Sequence, residues 1–206
     1  MVQVDGYKAY DIFDDTPQTR LLGCMAHARR KFEQSLKNKK ELAEYALEKI
    51  KLLYLIERQA DGMNYAQRKE LREKESLPIL KGLREWMEEK YKEVFPKSAI
   101  GQALGYSLNS WERLIRYLED GRYEIDNNWV ENAIRPVAIG RKNYLFAGSH
   151  EGARRAAIIY SLLNTCKKNN INPATWLHDV LNRITDYPVN QLENLLPNKW
   201  TGTKPG

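Results

Sequence analysis

Cysteine is scarce. Cys24 and Cys166 are the only two, and they lie far apart in the sequence. The N-terminus, MVQVDGYKAYD, has no basic start followed by an apolar stretch. A disulfide-stapled secreted scaffold is therefore not indicated, and both thiols are expected to be free in a reducing cytoplasm. No apolar run approaches the roughly 20 residues that a membrane-spanning helix needs. Internal repeats and low-complexity segments are lacking. So are a glycine-rich phosphate loop and a nucleophile elbow, which leaves nucleotide hydrolysis on a P-loop and serine-hydrolase chemistry without a motif. What remains is a chain of 206 residues, 42% hydrophobic and 29% charged. That suits one soluble domain, or one domain carrying an insertion, and argues against wholesale disorder.

Charge is unevenly spread. The total is 33 basic and 27 acidic side chains, for a net +6. Residues 20–40 hold seven basic side chains and one acid, and residues 126–170 hold seven and three. The rest of the chain is net negative. Two basic blocks around a near-neutral middle point to a polyanionic partner, although a solvated helix face gives the same count.

Periodicity then sets the elements. Val2-Gln3-Val4 alternates and ends at Asp5-Gly6, a strand followed by a turn. Asp14 to Pro17 reads as a loop, and Leu21 to Ala26 as a short buried strand. A helix follows from Ala28 to Leu36. Residues 41–59 carry apolar positions at helical spacing, closed by Asp61-Gly62. A further helical stretch spans about 65–95, broken or kinked at Pro78, and another spans about 98–118. Arg122 to Ile125 reads as a short extended piece. Asp126-Asn127-Asn128 starts a helix that is expected to end near Arg135-Pro136, with a loop or short strand over IGRKNYLFAGS. Helices over 151–169 and from Asn172-Pro173 to about Ile184 precede an irregular tail.

Few residues stand out as carriers of chemistry. Asp5, at a strand end before glycine, is placed as a metal-holding carboxylate would be, yet Asp-Gly alone reads first as a turn former. Glu131 shares a helix face with Asn127 and Asn128, while Asn128-x-x-Glu131 is also a capping-box pattern. Asp126 reads as a cap. Arg29, Arg30 and Lys31 on one helix, and Arg135, Arg141, Lys142, Asn143 and Arg154 after Glu131, suit phosphate contacts together with Asn127 and Asn128. Tyr144 and Phe146 lie among them and suit stacking on an unpaired base, or an ordinary core. Cys24-x2-His27 is one half of a zinc site without a second pair.

These residues carry a resemblance. DGYKAYD at 5–11, CMAHARRKF at 24–32, GRYEIDNNWVENAIRPVAIGRKNYLFAGS at 121–149 and AAIIYSLLNTCKKNNINPATWLHDVLNRI at 156–184 closely resemble the catalytic and C-terminal part of the insertion-sequence 66 transposases. Residues 190–200 look like the tail of the same family. The resemblance implies a DDE-type enzyme that cleaves and transfers DNA strands with two Mg²⁺ (or Mn²⁺) ions, acting on transposon ends and target DNA, with a homo-oligomer expected for the intact enzyme. By the family's pattern Asp5 matches the second catalytic aspartate and Glu131 the glutamate. The implied fold class is α/β but predominantly helical. A partial ribonuclease H-like core occupies residues 1–37 and 120–150, a large helical insertion residues 38–119, and C-terminal helices and tail residues 151–206. The family's first aspartate precedes the DGY segment and has no counterpart here; Asp11, Asp14 and Asp15 are poor substitutes. The expectation is a truncated chain, inactive alone, or a non-catalytic DNA-binding or assembly fragment.

Overall fold

The N-terminal strand predicted over residues 2–4 pairs with the apolar run at 21–22. In the computed structural model the described residues are 2–4, 8–13, 19–144 and 146–202. β1 (Val2–Gln3) and β2 (Leu21–Leu22) run parallel, with Val2 opposite Leu21 and Gln3 opposite Leu22. The Val4 amide extends the ladder to the Leu22 carbonyl at 2.9 Å. Val4, Leu21 and Leu22 are all buried, as expected of parallel strands covered on both faces. Gly23 follows, and its amide donates to the Arg113 carbonyl at 2.7 Å. A Cβ at that position would stand 3.0 Å from the Leu114 backbone nitrogen, so the close approach requires glycine.

Helices make up most of the rest. In order they are α1 (Met25–Ser35), α2 (Lys40–Gln59), α3 (Tyr65–Leu71), α4 (Leu77–Tyr91), α5 (Ala99–Asn109), α6 (Trp111–Ile115), α7 (Asn128–Tyr144), α8 (His150–Lys168) and α9 (Pro173–Arg183). The described residues divide into two compact units, Met1–Trp129 and Val130–Gly206.

In the first unit α1 lies against α2 and α5, and the core gathers Phe32, Ile50, Leu53, Leu83, Met87 and Leu104. Burying side chains of this size is worth about 1.5–3 kcal/mol each, which makes this core the main source of that unit's stability. Cys24 is buried at the N-terminus of α1. In the second unit a smaller core forms around Cys166, Trp176, Val180 and Leu195. The Trp176 indole donates to the Leu195 carbonyl at 2.9 Å, and the Trp200 indole to Asp179 Oδ2 at 2.7 Å. Asn172 caps α9 by accepting from the amides of Ala174 and Thr175, with Pro173 in the first turn where no amide is needed.

Several boundaries differ from the sequence expectations. Pro78 does not break the 65–95 stretch. α3 passes through a π-helical segment, Arg72–Ser76, into α4, and Pro78 falls in the first turn of α4. Pro136 does not end α7, which continues to Tyr144. An interior proline removes one amide and crowds one carbonyl. Contacts to α8 flank the proline: Asn164 Nδ2 donates to the Ala133 carbonyl at 2.7 Å, and the Tyr144 hydroxyl meets that of Tyr160. Residues 122–125, read as a short extended piece, form a turn and bends with no ladder pairing, and the tail contains a 3-10 helix, Val189–Leu195. The loop predicted at Asp14 to Pro17 lies outside the described residues.

Candidate catalytic and nucleic-acid-binding site

The chain returns from the helical middle through a segment held by one buried arginine. Arg72 has no exposed surface. Its Nε and Nη2 donate to Glu57 at 2.8 and 2.7 Å. Nη1 donates to the carbonyls of Tyr117 and Asp120, and Nη2 also to that of Tyr123. All five guanidinium hydrogens are thereby used. Arg68 adds a second bridge, from Glu57 to Glu124, each at 2.8 Å. The Arg68 guanidinium holds the Glu124 carboxyl below its ordinary range, more than burial raises it.

Beyond this clamp lies Asp126, 8% exposed. The Tyr54 hydroxyl, from α2, donates to Asp126 Oδ2 at 2.7 Å. The Asn128 amide donates to Oδ1 at 3.0 Å and Asn128 Nδ2 to Oδ2 at 2.8 Å. Asp126 thus forms an Asx turn onto the first amide of α7, one position before the N-cap that its sequence reading suggested, and both its oxygens are committed. Burial, followed by the bond to this carboxylate, pushes the Tyr54 phenol well above its usual range. Asn128 is the first residue of α7 and its side chain donates to Asp126, so it is not the N-cap of a capping box with Glu131. Asn127 directs its backbone amide toward the Cys24 sulfur. Burial nonetheless dominates there and raises the thiol.

Glu131 sits in the first turn of α7 and is half-buried. At about 100° per residue, Arg135 and Lys142 fall within about 40° of it around the helix. One stripe thus carries a carboxylate and two exposed cations. Arg141 lies about 80° from Glu131. Arg141, Asn143 and, on α8, Arg154 are exposed. On α1, Arg29 pairs with Glu33 at 3.0 Å, Arg30 is exposed, and Lys31 Nζ lies 4.9 Å from the centre of the Tyr106 ring. Asp5 lies outside the described residues. Asp11 is engaged by Arg113 at 2.9 Å. Among the described residues no group of three or more His, Cys, Asp or Glu side chains is placed to hold a metal ion. Carboxylate oxygens such as those of Glu131 are the donors a hard divalent cation prefers.

Two positions had no signal in the sequence. Tyr54 lies 72 residues from its partner Asp126 and reads there only as one apolar-helix residue. Arg72 reads as one surface charge among many. The π-helical segment that begins at Arg72 is not encoded by any spacing rule.

A family model described as "Transposase IS66 family" matches residues 1–155, and one described as "IS66 C-terminal element" matches residues 161–198. The chain belongs to the IS66 transposase family. Similar curated proteins come from Sinorhizobium fredii (strain NBRC 101917 / NGR234) and are described as uncharacterized. The protein y4hP is 38% identical over 190 residues, covering 86% of this chain and 34% of y4hP. The protein y4qI is 39% identical over 206 residues, covering 96% and 38%. The protein y4jD is 36% identical over 217 residues, covering 100% and 42%. This IS66 family chain thus spans well under half the length of these relatives. No solved structure matches it. No helix among the described residues is long and apolar enough to cross a membrane.

Proposed function

We propose that this chain is part of the catalytic region of a DDE transposase, which cleaves and transfers DNA strands at transposon ends and target sites. In this reading residues 1–37 and 120–150 contribute to a ribonuclease H-like core, residues 38–119 are its helical insertion and residues 151–206 complete it. Asp5 and Glu131 hold Mg²⁺ or Mn²⁺. When bound, two such ions supply the charge that activates the attacking oxygen and stabilises the leaving oxygen of a phosphodiester. The chain's own residues position the strand. Within the second unit Arg135 and Lys142 bind phosphate beside Glu131, and Arg141, Asn143 and Arg154 extend that contact; Arg29, Arg30 and Lys31, with Asn127 and Asn128, are DNA contacts of the first unit. The clamp at Arg72 and the Tyr54–Asp126 bond fix the start of α7. Synapsis of two DNA ends calls for two copies of the enzyme, working in the cytoplasm where the DNA lies.

The observation that carries this reading is the family match over residues 1–155 together with Glu131 on a cationic stripe in the first turn of α7. Mn²⁺ titration of the isotope-labelled chain tests it. Amide signals around Asp5 and Glu131 are expected to broaden together, and the Glu131→Gln and Asp5→Asn variants to lose that broadening. Broadening elsewhere, or broadening that survives both substitutions, rejects these residues as the metal site. A second reading, a non-catalytic DNA-binding or assembly fragment, draws support from the charge of residues 130–206, where ten basic side chains face five acidic ones. It expects DNA affinity that falls steeply with salt and is indifferent to Glu131→Gln.

A further inference from the structure

α7 and α8 enclose an open cavity of about 630 Å³ within the second unit. That volume is in the range of small-molecule sites. Its lining includes the aromatic side chains of Tyr144, Phe146 and Tyr160 and the small ones of Ala153 and Ala157. The charged residues lining it are Arg141 and Lys168, both cations, with no acid among the lining. Tyr144 is 43% and Phe146 78% exposed, so two aromatic faces stand open. The Tyr144 and Tyr160 hydroxyls meet at 3.0 Å.

Gly140 makes this arrangement possible. A Cβ there would lie 2.7 Å from the Tyr160 hydroxyl and 2.9 Å from a Tyr144 ring carbon. Glycine inside a helix weakens it relative to alanine, and here its absent side chain is what admits the tyrosine pair. Val137 and Tyr144 lie about 120–140° around α7 from Glu131, and Arg141 falls between them and the Glu131 stripe.

We propose that this cavity seats one unpaired nucleotide of a DNA strand. The base lies among Tyr144, Phe146 and Tyr160, and its phosphates are held by Arg141 and Lys168. Any base presents a π-face, so aromatic walls accept it without regard to sequence. Two cations and no acid in an otherwise largely apolar and aromatic lining suit a ligand with a flat apolar face and an anionic end, which a nucleotide has and an apolar protein segment lacks. Arg141, between the cavity and the Glu131 stripe, is placed to contact the phosphate that joins a seated nucleotide to a strand on that stripe. The proposal rests on the DNA-acting reading above and adds the single-stranded character of the site.

The test compares a blunt DNA duplex with the same duplex bearing a three-nucleotide overhang that contains 2-aminopurine. Binding of the full chain is followed by anisotropy and by the 2-aminopurine signal. The overhang is expected to bind about five- to tenfold more tightly than the blunt end, with 2-aminopurine quenched by stacking. Tyr144→Ala with Phe146→Ala removes that preference and leaves blunt-end affinity in place. Ala157→Leu, which fills the cavity, does the same. Lys168→Ala, an exposed change that spares the fold, lowers overhang affinity and reduces the salt slope by about one. Equal affinity for both duplexes overturns the nucleotide seat while leaving the DNA reading intact. No binding to either at low salt overturns both. An Ala157→Leu variant that changes oligomeric state in sedimentation but keeps the overhang preference makes the cavity a protein interface and also overturns the proposal.

Discussion

Arg72 illustrates how much one side chain carries in the first unit. Its charge is fully buried and paired with Glu57, whose side chain is 9% exposed. It also satisfies three backbone carbonyls of residues 117–123. Truncation takes one of two cations from Glu57, which keeps Arg68, and leaves three carbonyls without their donor, at about 1–3 kcal/mol for each buried group left unsatisfied. Arg72→Ala is therefore expected to lower the urea midpoint sharply, and Arg72→Lys to recover little, because an ammonium lacks the planar fork. Acid acts on the neighbouring pairs. Hydrogen bonds from the Arg122 side chain and amide bring Asp120 down to about 2, and Arg68 lowers Glu124. Both folded values lie below the unfolded ones. Their contribution is thus complete above the unfolded carboxylate range and is lost as pH falls through the folded values. Urea midpoints measured from about pH 5 down to about pH 2 should decline, and Glu124→Gln should flatten part of that decline.

Among the elements, α2 and α7 are opposites. α2 buries Ala43, Ala46, Ile50, Leu53 and Ile56 along one face. α7 has no buried residue and carries Pro136 in its interior. Local opening costs least where few apolar contacts are made. Amide hydrogen exchange is therefore expected to empty α7 well before α2, and equal protection would contradict this. The same contrast explains what was legible in the sequence. α2, α8 and α9 were readable because apolar spacing and caps such as Asn172 are local signals. The passage of α7 through Pro136 was not, because the contacts that flank it come from Asn164 and Tyr160 on another helix. Asp126 was readable as part of a helix start, but its bond to Tyr54 depends on a chain crossing that no local pattern encodes. Of the proposed metal ligands, the placement of Glu131 in a first helical turn followed from the Asn-Asn start signal.

At the scale of the whole molecule, charge and packing divide between the units. Residues 130–206 have ten basic and five acidic side chains, which accounts for most of the net +6. The larger apolar core belongs to residues 1–129. A stable, nearly neutral body and a cationic, thinly packed one share a single chain, and α7 runs from one into the other.

The two cysteines happen to be shared out in the same way. Cys24 belongs to the first unit and Cys166 to the second, and neither exposes any surface. Alkylating reagents reach each sulfur only when its own surroundings come apart. The unaltered chain thus carries two internal clocks, one timing the breathing of each half.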